Sequence, residues 1–98
     1  MTLSPKQRAY LRSLAQRLKP ILHVGKEGVT DAAVAAVEMA FNTRELLKVK
    51  LTDGAPIAAR DAGEQIAERI DGAHHVQTIG RTIVLYRQAE EPEIELPE

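Results

Sequence analysis

What limits the fold of this chain most is the order in which its hydrophobic period changes between Ser4 and Arg87. Helix-spaced stretches alternate with strand-spaced ones, and two strand-like runs close the series. Ser4, followed by Pro5 and then Gln7, has the spacing of a capping box with proline at the first helical position, so a helix begins there. Leu11, Leu14, Ala15 and Leu18 form its apolar stripe. Lys6, Arg8, Arg12, Arg17 and Lys19 lie on its other faces, and Pro20 stops it by forcing the preceding residue toward extended geometry. Residues 21–24 then read as a short strand.

Thr30 and Asp31 can cap a second helix, in which Val34, Val37 and Phe41 recur at helical spacing beside Ala33, Ala36 and Ala40. Residues 46–52 alternate, with Leu47, Val49 and Leu51 on one face and Leu46, Lys48 and Lys50 on the other, the pattern of a half-buried strand ended by Asp53-Gly54. Pro56 introduces a third helix whose stripe is Ala59, Ala62, Ile66 and Ile70, with Gly72 as its stop. Residues 74–79 and 82–87 are β-rich and joined by Gly80-Arg81, which suits a type II′ hairpin. Crossover helices require some parallel pairing. The expectation is a compact single α/β domain of order α-β-α-β-α-β-β, with a mixed four-stranded sheet packed by helices.

The 98 residues, 44% hydrophobic, suffice for one core and leave no room for a second domain. The absence of cysteine excludes disulfides, thiolate metal sites and cysteine nucleophiles, and fits a cytoplasmic protein. Met1 to Lys6 has no signal-peptide core, and no run nears the roughly 20 apolar residues of a membrane span. His23, His74 and His75 occur at no recognised metal spacing, and no triad or carboxylate pair can be singled out, so neither a metal, a cofactor nor an enzyme activity is expected.

Net charge is −1 with a pI of about 6.3, but the charge is unevenly placed. Residues 1–52 carry +5 and residues 53–98 carry −6; half of the second half's ten acids lie in the last nine residues. The domain is therefore taken as residues 1–89, with a balance of +4, and residues 90–98 as an acidic, disordered tail that competes for the basic face.

Gly25-Lys26-Glu27-Gly28 stands where a strand gives way to a helix. Glycine allows positive φ or close approach, free N–H groups and the helix dipole favour an anion, and Lys26 adds a mobile charge. This is the logic of the GXXG loop that clamps nucleic-acid backbone in KH domains, and the spacing is not that of a nucleotide P-loop. Lys48 and Lys50, with Arg44 and Arg81, extend a basic patch; Lys6, Arg8, Arg12 and Lys19 can prolong it along the first helix. Tyr10, Phe41 and Tyr86 are the only aromatics, Phe41 reads as core, and backbone and shape recognition should dominate over stacking.

Several ordered segments carry a family resemblance: Leu3-Ser4-Pro5-Lys6-Gln7-Arg8, Leu18-Lys19-Pro20-Ile21, Val24-Gly25-Lys26-Glu27-Gly28-Val29-Thr30, residues 44–50 and residues 76–87. Over nearly its whole length the chain resembles stand-alone bacterial CRM-domain proteins of the YhbY type. The resemblance implies a fold similar to the C-terminal domain of translation initiation factor three, with the glycine loop in an RNA surface. It also implies a role with precursors of the large ribosomal subunit, and the expectation is a monomeric assembly factor that docks on ribosomal RNA there. That family often has a basic or polar pair inside the loop, and Glu27 makes this copy less positive. The rival expectation is a protein-interaction module of the assembly machinery in which RNA contact is incidental.

Overall fold

The computed structural model describes residues 1–98 and contains α1 (Pro5–Ala15), β1 (Leu22–Val24), α2 (Asp31–Ala40), β2 (Leu46–Leu51), α3 (Ala59–Arg69), β3 (Ala73–Ile79) and β4 (Thr82–Arg87). The expected element order is borne out. The strands form one sheet in the order β1-β2-β4-β3, with β1 parallel to β2 and β4 antiparallel to both of its neighbours. No helix is long and apolar enough to cross a membrane.

The starts of α1 and α2 follow from their caps. Ser4 Oγ accepts from the Gln7 N–H at 3.1 Å while Gln7 Oε1 accepts from the Ser4 N–H at 2.9 Å, completing the reciprocal box at α1. Thr30 Oγ1 accepts from the Ala33 N–H at 3.0 Å and caps α2. At the hairpin, Gly80 has φ of +57° and no non-glycine residue has positive φ, so Arg81 does not, which matches type II′ rather than type I′.

One face of the sheet is covered by α2 and α3, and the other in part by α1. Val34, Val37 and Phe41 of the α2 stretch and Ala62, Ile66 and Ile70 of the α3 stretch bury Val24, Leu47, Val49, Leu51, Ile83 and Leu85. On the opposite face α1 contributes Leu11 and Ala15 to a smaller cluster with Leu3, Leu46, Val76, Val84 and Tyr86. The alternation read in β2 therefore separates two buried faces along part of the strand, and Leu46 is buried although it shares its face with the lysines. Truncating a fully buried leucine such as Leu11 or Leu47 would cost about 2–5 kcal/mol.

Some boundaries differ from expectation. α1 ends at Ala15, well before Pro20, because the chain tightens into turns in which the N–H groups of Gln16 and Leu18 bond the carbonyls of Ser13 and Ala15; Leu18 leaves the stripe and is 36% exposed. β1 starts at Leu22, and α3 starts at Ala59 rather than near Pro56, with no side-chain cap at Ala58. The C-terminal segment, expected to be a disordered tail, lies against the domain. The N–H groups of Ala89, Glu93 and Ile94 donate to the Glu45 carboxylate, Ile94 and Leu96 pack on the α1 cluster, and Pro97 O accepts from Gln7 Nε2 at 3.0 Å. Composition concealed this because apolar residues alternate with the acids and fill the groove beside α1.

Candidate nucleic-acid interface

Gly25 to Gly28 close a tight turn at the end of β1, with the Gly28 N–H bonded to Gly25 O at 3.0 Å and Gly28 at φ +76°. A side chain at Gly28 would be strained by that φ, and its Cβ would touch Pro56 Cγ at 3.4 Å. The turn leads directly into the capped start of α2. The N–H groups of Lys26, Glu27 and Ala32 have no acceptor within the protein. Together with His23, Thr30 and Ala33, these residues line an open groove of about 410 Å³. The second carboxylate near this helix start, Asp31, is engaged by Arg69 of α3. Free amides, a helix N-terminus and the Lys26 ammonium give the groove the chemistry of an oxyanion site.

The structure brings some of the expected basic residues together and separates others. β1 and β2 run parallel, so the glycine loop and the Asp53-Gly54 turn leave the same end of the sheet, and an added Cβ on Gly54 would lie 3.5 Å from Lys26 Cβ. The Gly80-Arg81 hairpin reaches this end too, since the Leu51 N–H donates to Arg81 O at 2.8 Å. Lys50 is exposed here and Lys48 is half-buried further down the strand; neither they nor Lys26 has an ion-pair partner. Arg81 is paired with Asp53, which cancels much of its charge at the rim.

Arg44 precedes β2 at the opposite end of the sheet. Leu46 and Lys50 alone are roughly 13 Å apart along the strand. Arg44 shares its grooves with Glu91 and Glu93, so the acidic segment sits beside this arginine and not over the glycine loop. Of the basic face for which the tail was expected to compete, the segment therefore lies beside Arg44 and not beside the glycine loop. On α1, Arg8 bonds His75 O at 2.9 Å, a fastening of helix to β3, while Lys6 and Arg12, and Lys19 beyond the helix, stay in solvent.

Sequence reasoning missed two residues. Glu45, 7% exposed, is the buried anchor of the C-terminal segment: burial raises its carboxyl pKa, but the backbone donors Ala89, Ile94 and Glu93 outweigh that and hold it below the usual 4.5. Nothing in the local pattern distinguishes Glu45 from a solvated acid. His23 was weighed only as a metal ligand, yet it lines the groove and is the register partner of Lys50. Its place between Leu22 and Val24, which pack on the larger cluster, was the available signal that it faces away from that core. The other histidines are partly buried. Burial, then the N-terminal charge and Arg8, lowers the pKa of His74; burial, opposed by Glu64 and the Gln77 backbone, lowers that of His75. Tyr86 is fully buried in the α1 cluster, its hydroxyl has no partner, and burial followed by the Glu45 charge raises its pKa.

Comparison with known proteins agrees with the sequence resemblance. Residues 3–87 match the family described as the CRS1 / YhbY (CRM) domain. The chain is 42% identical to a Haemophilus influenzae protein named "RNA-binding protein" over 96 residues, 98% of this chain and 96% of that one. It is 41% identical over 96 residues to "Probable RNA-binding protein YqeI" of Bacillus subtilis, covering 97% of this chain and 99% of the relative. The solution structure of the hypothetical protein SAV1595 from Staphylococcus aureus superposes with a TM-score of 0.79 at 36% identity, covering 98% of this chain and all of the other.

Proposed function

The chain belongs to the CRS1/YhbY (CRM) domain family, and from that premise we propose that it is an RNA-binding protein, not an enzyme, that grips RNA backbone at the Gly25–Gly28 groove. The observation that carries this reading is the coincidence, in one groove, of unbonded backbone amides, a capped helix start and an unpaired Lys26. These groups are those that a phosphate oxygen requires. Lys50 and Lys48 supply further salt-sensitive attraction from the adjoining sheet face, Arg81 a smaller share because Asp53 holds it, and Arg44 little. The names of the relatives point to the same ligand class.

At finer grain we propose that the RNA is large-subunit ribosomal RNA within precursor particles, and that the protein acts as a cytoplasmic monomer that positions or protects RNA during assembly. The test is a salt series on large-subunit ribosomal RNA with wild type and Lys26→Ala. Each lost phosphate contact should make the log-log salt slope shallower by roughly 0.7–0.9. An unchanged slope moves the backbone contact away from the loop, and no binding at low salt removes the RNA reading.

A further inference from the structure

We infer that the part of the sheet face left uncovered by α1 is a second, base-contacting part of the RNA surface, so that the ligand taken beside the glycine loop is unpaired RNA. This inference rests on the RNA-binding reading above. It starts from register. His23 pairs with Lys50, Lys50 with Thr82, and Thr82 with Ile79, so four residues from four strands form one unbroken row across the sheet. All four face away from the α2/α3 core. Leu22 and Val24 pack on that core beside His23, as do Val49 and Leu51 beside Lys50 and Ile83 beside Thr82, and Ile79 is the cross-strand partner of Thr82.

Helix α1 covers the other rows of this face. Leu46 and Tyr86 are partners and lie in its cluster, as does Val84, the partner of Lys48. The His23–Lys50–Thr82–Ile79 row is beyond its reach: His23 and Lys50 are exposed and Ile79 is 53% exposed. The row spans three inter-strand gaps, roughly 14 Å. A solvated sheet face accounts for Lys50 and Thr82. It does not account for an exposed isoleucine at one edge of the row and an imidazole at the other.

The chemistry of the row selects its occupant. Phosphates need only cations and N–H donors, which the glycine loop and lysines provide; a planar ring and an apolar side chain are useful against the faces and edges of bases. In an A-form duplex the bases are stacked inward and present no open faces, so such groups meet bases only where the strand is unpaired. His23 also lines the glycine-loop groove, which makes the row continuous with the phosphate site, and Lys50, next to His23 in the row, has no ion-pair partner. A strand whose backbone is seated at the glycine loop can therefore lay its neighbouring bases across the row.

The experiment compares a short mixed-sequence single-stranded oligoribonucleotide with the same strand annealed to its complement, using the full chain and its His23→Ala, His23→Phe, Ile79→Ala and Lys26→Ala variants. Thermal melts verify folding, and both row positions are exposed. The single strand should bind more tightly than the duplex. His23→Ala and Ile79→Ala should each weaken single-strand binding by roughly fivefold without altering the salt slope, and His23→Phe should retain affinity because the ring is kept. Lys26→Ala should instead make the slope shallower. Wild-type affinity in both alanine row variants, or equal losses for single strand and duplex, overturns the platform while leaving RNA binding in place. Failure of the folded wild type to bind either probe removes both readings together.

Discussion

At the start of β2 a carboxylate, Glu45, is 7% exposed and accepts three main-chain N–H bonds from the C-terminal segment, whereas at the other end Lys50 and the neighbouring Lys26 stand in solvent with no ion-pair partner. One strand thus carries two treatments of charge. Burying an ionised group is costly unless donors surround it, so the three amides at Glu45 are the reason it can be inside, and its effect is spent on folding. A cation that the fold leaves unpaired is available to something outside the protein. The distinction lies in the partners a charged residue has, which neither its residue type nor its distance along the chain reveals.

The largest expected effect comes from removing the carboxylate. Glu45→Ala should destabilise the protein by about 2–4 kcal/mol, because charged hydrogen bonds are lost and the amides of Ala89, Glu93 and Ile94 lose their acceptor. Chemical denaturation should show the loss, and hydrogen exchange should show those three amides deprotected. RNA affinity of the folded variant should not fall below the wild-type level, since the glycine loop lies at the far end of the sheet. A parallel fall in affinity would break the separation between the two ends.

Acid titration should sharpen the same contrast with a smaller effect. His74 and His75 both have pKa values lowered from 6.5 in the folded state, chiefly by burial, so the unfolded chain binds protons first as pH falls and stability declines below about pH 6.5. Glu45 acts later. Its folded-state pKa lies below 4.5, so its contribution is intact above that pH and is lost as pH falls through the folded value. Melting temperature should therefore fall in two stages, and replacing His74 and His75 by glutamine should flatten the first alone. A first stage that survives the double replacement would show that other groups carry it.

How much of this was legible in the sequence depended on the range of the interaction concerned. Ser4 with Gln7, Thr30, and Gly80-Arg81 are local devices whose bonds close within a few residues, and each does in the structure what its spacing implied. The glycine loop was equally local. Glu45, by contrast, bonds residues 44 to 49 positions away, and the His23–Lys50–Thr82–Ile79 row exists only once the strand order and register are known. Leu46 illustrates the same limit: its place on the same face as the lysines was visible, but that α1 would cover one end of that face and leave the other open was not. Arg44 and Lys50 look alike in sequence for this reason, both being basic residues at the margins of one strand.

Those two residues give the smallest and most discriminating comparison. Lys50→Ala should weaken RNA binding and make the salt slope shallower by roughly 0.7–0.9, the mark of one phosphate contact. Arg44→Ala should change affinity by less than about twofold and leave the slope unchanged, because Glu91 and Glu93 in the same grooves offset its attraction for phosphate. Glu91 and Glu93 line grooves with Arg44 without an ion pair to it, and Glu45 holds their segment, so Arg44 should acquire an effect only when Glu45→Ala is present in the same chain. Binding measured across salt in Arg44→Ala, Glu45→Ala and the double variant tests this coupling. An equal loss on Arg44→Ala in both backgrounds would mean that Arg44 reaches RNA past the docked segment, whereas an Arg44 contribution found only in the Glu45→Ala background would show that the folded-back chain limits how far the basic surface extends along β2.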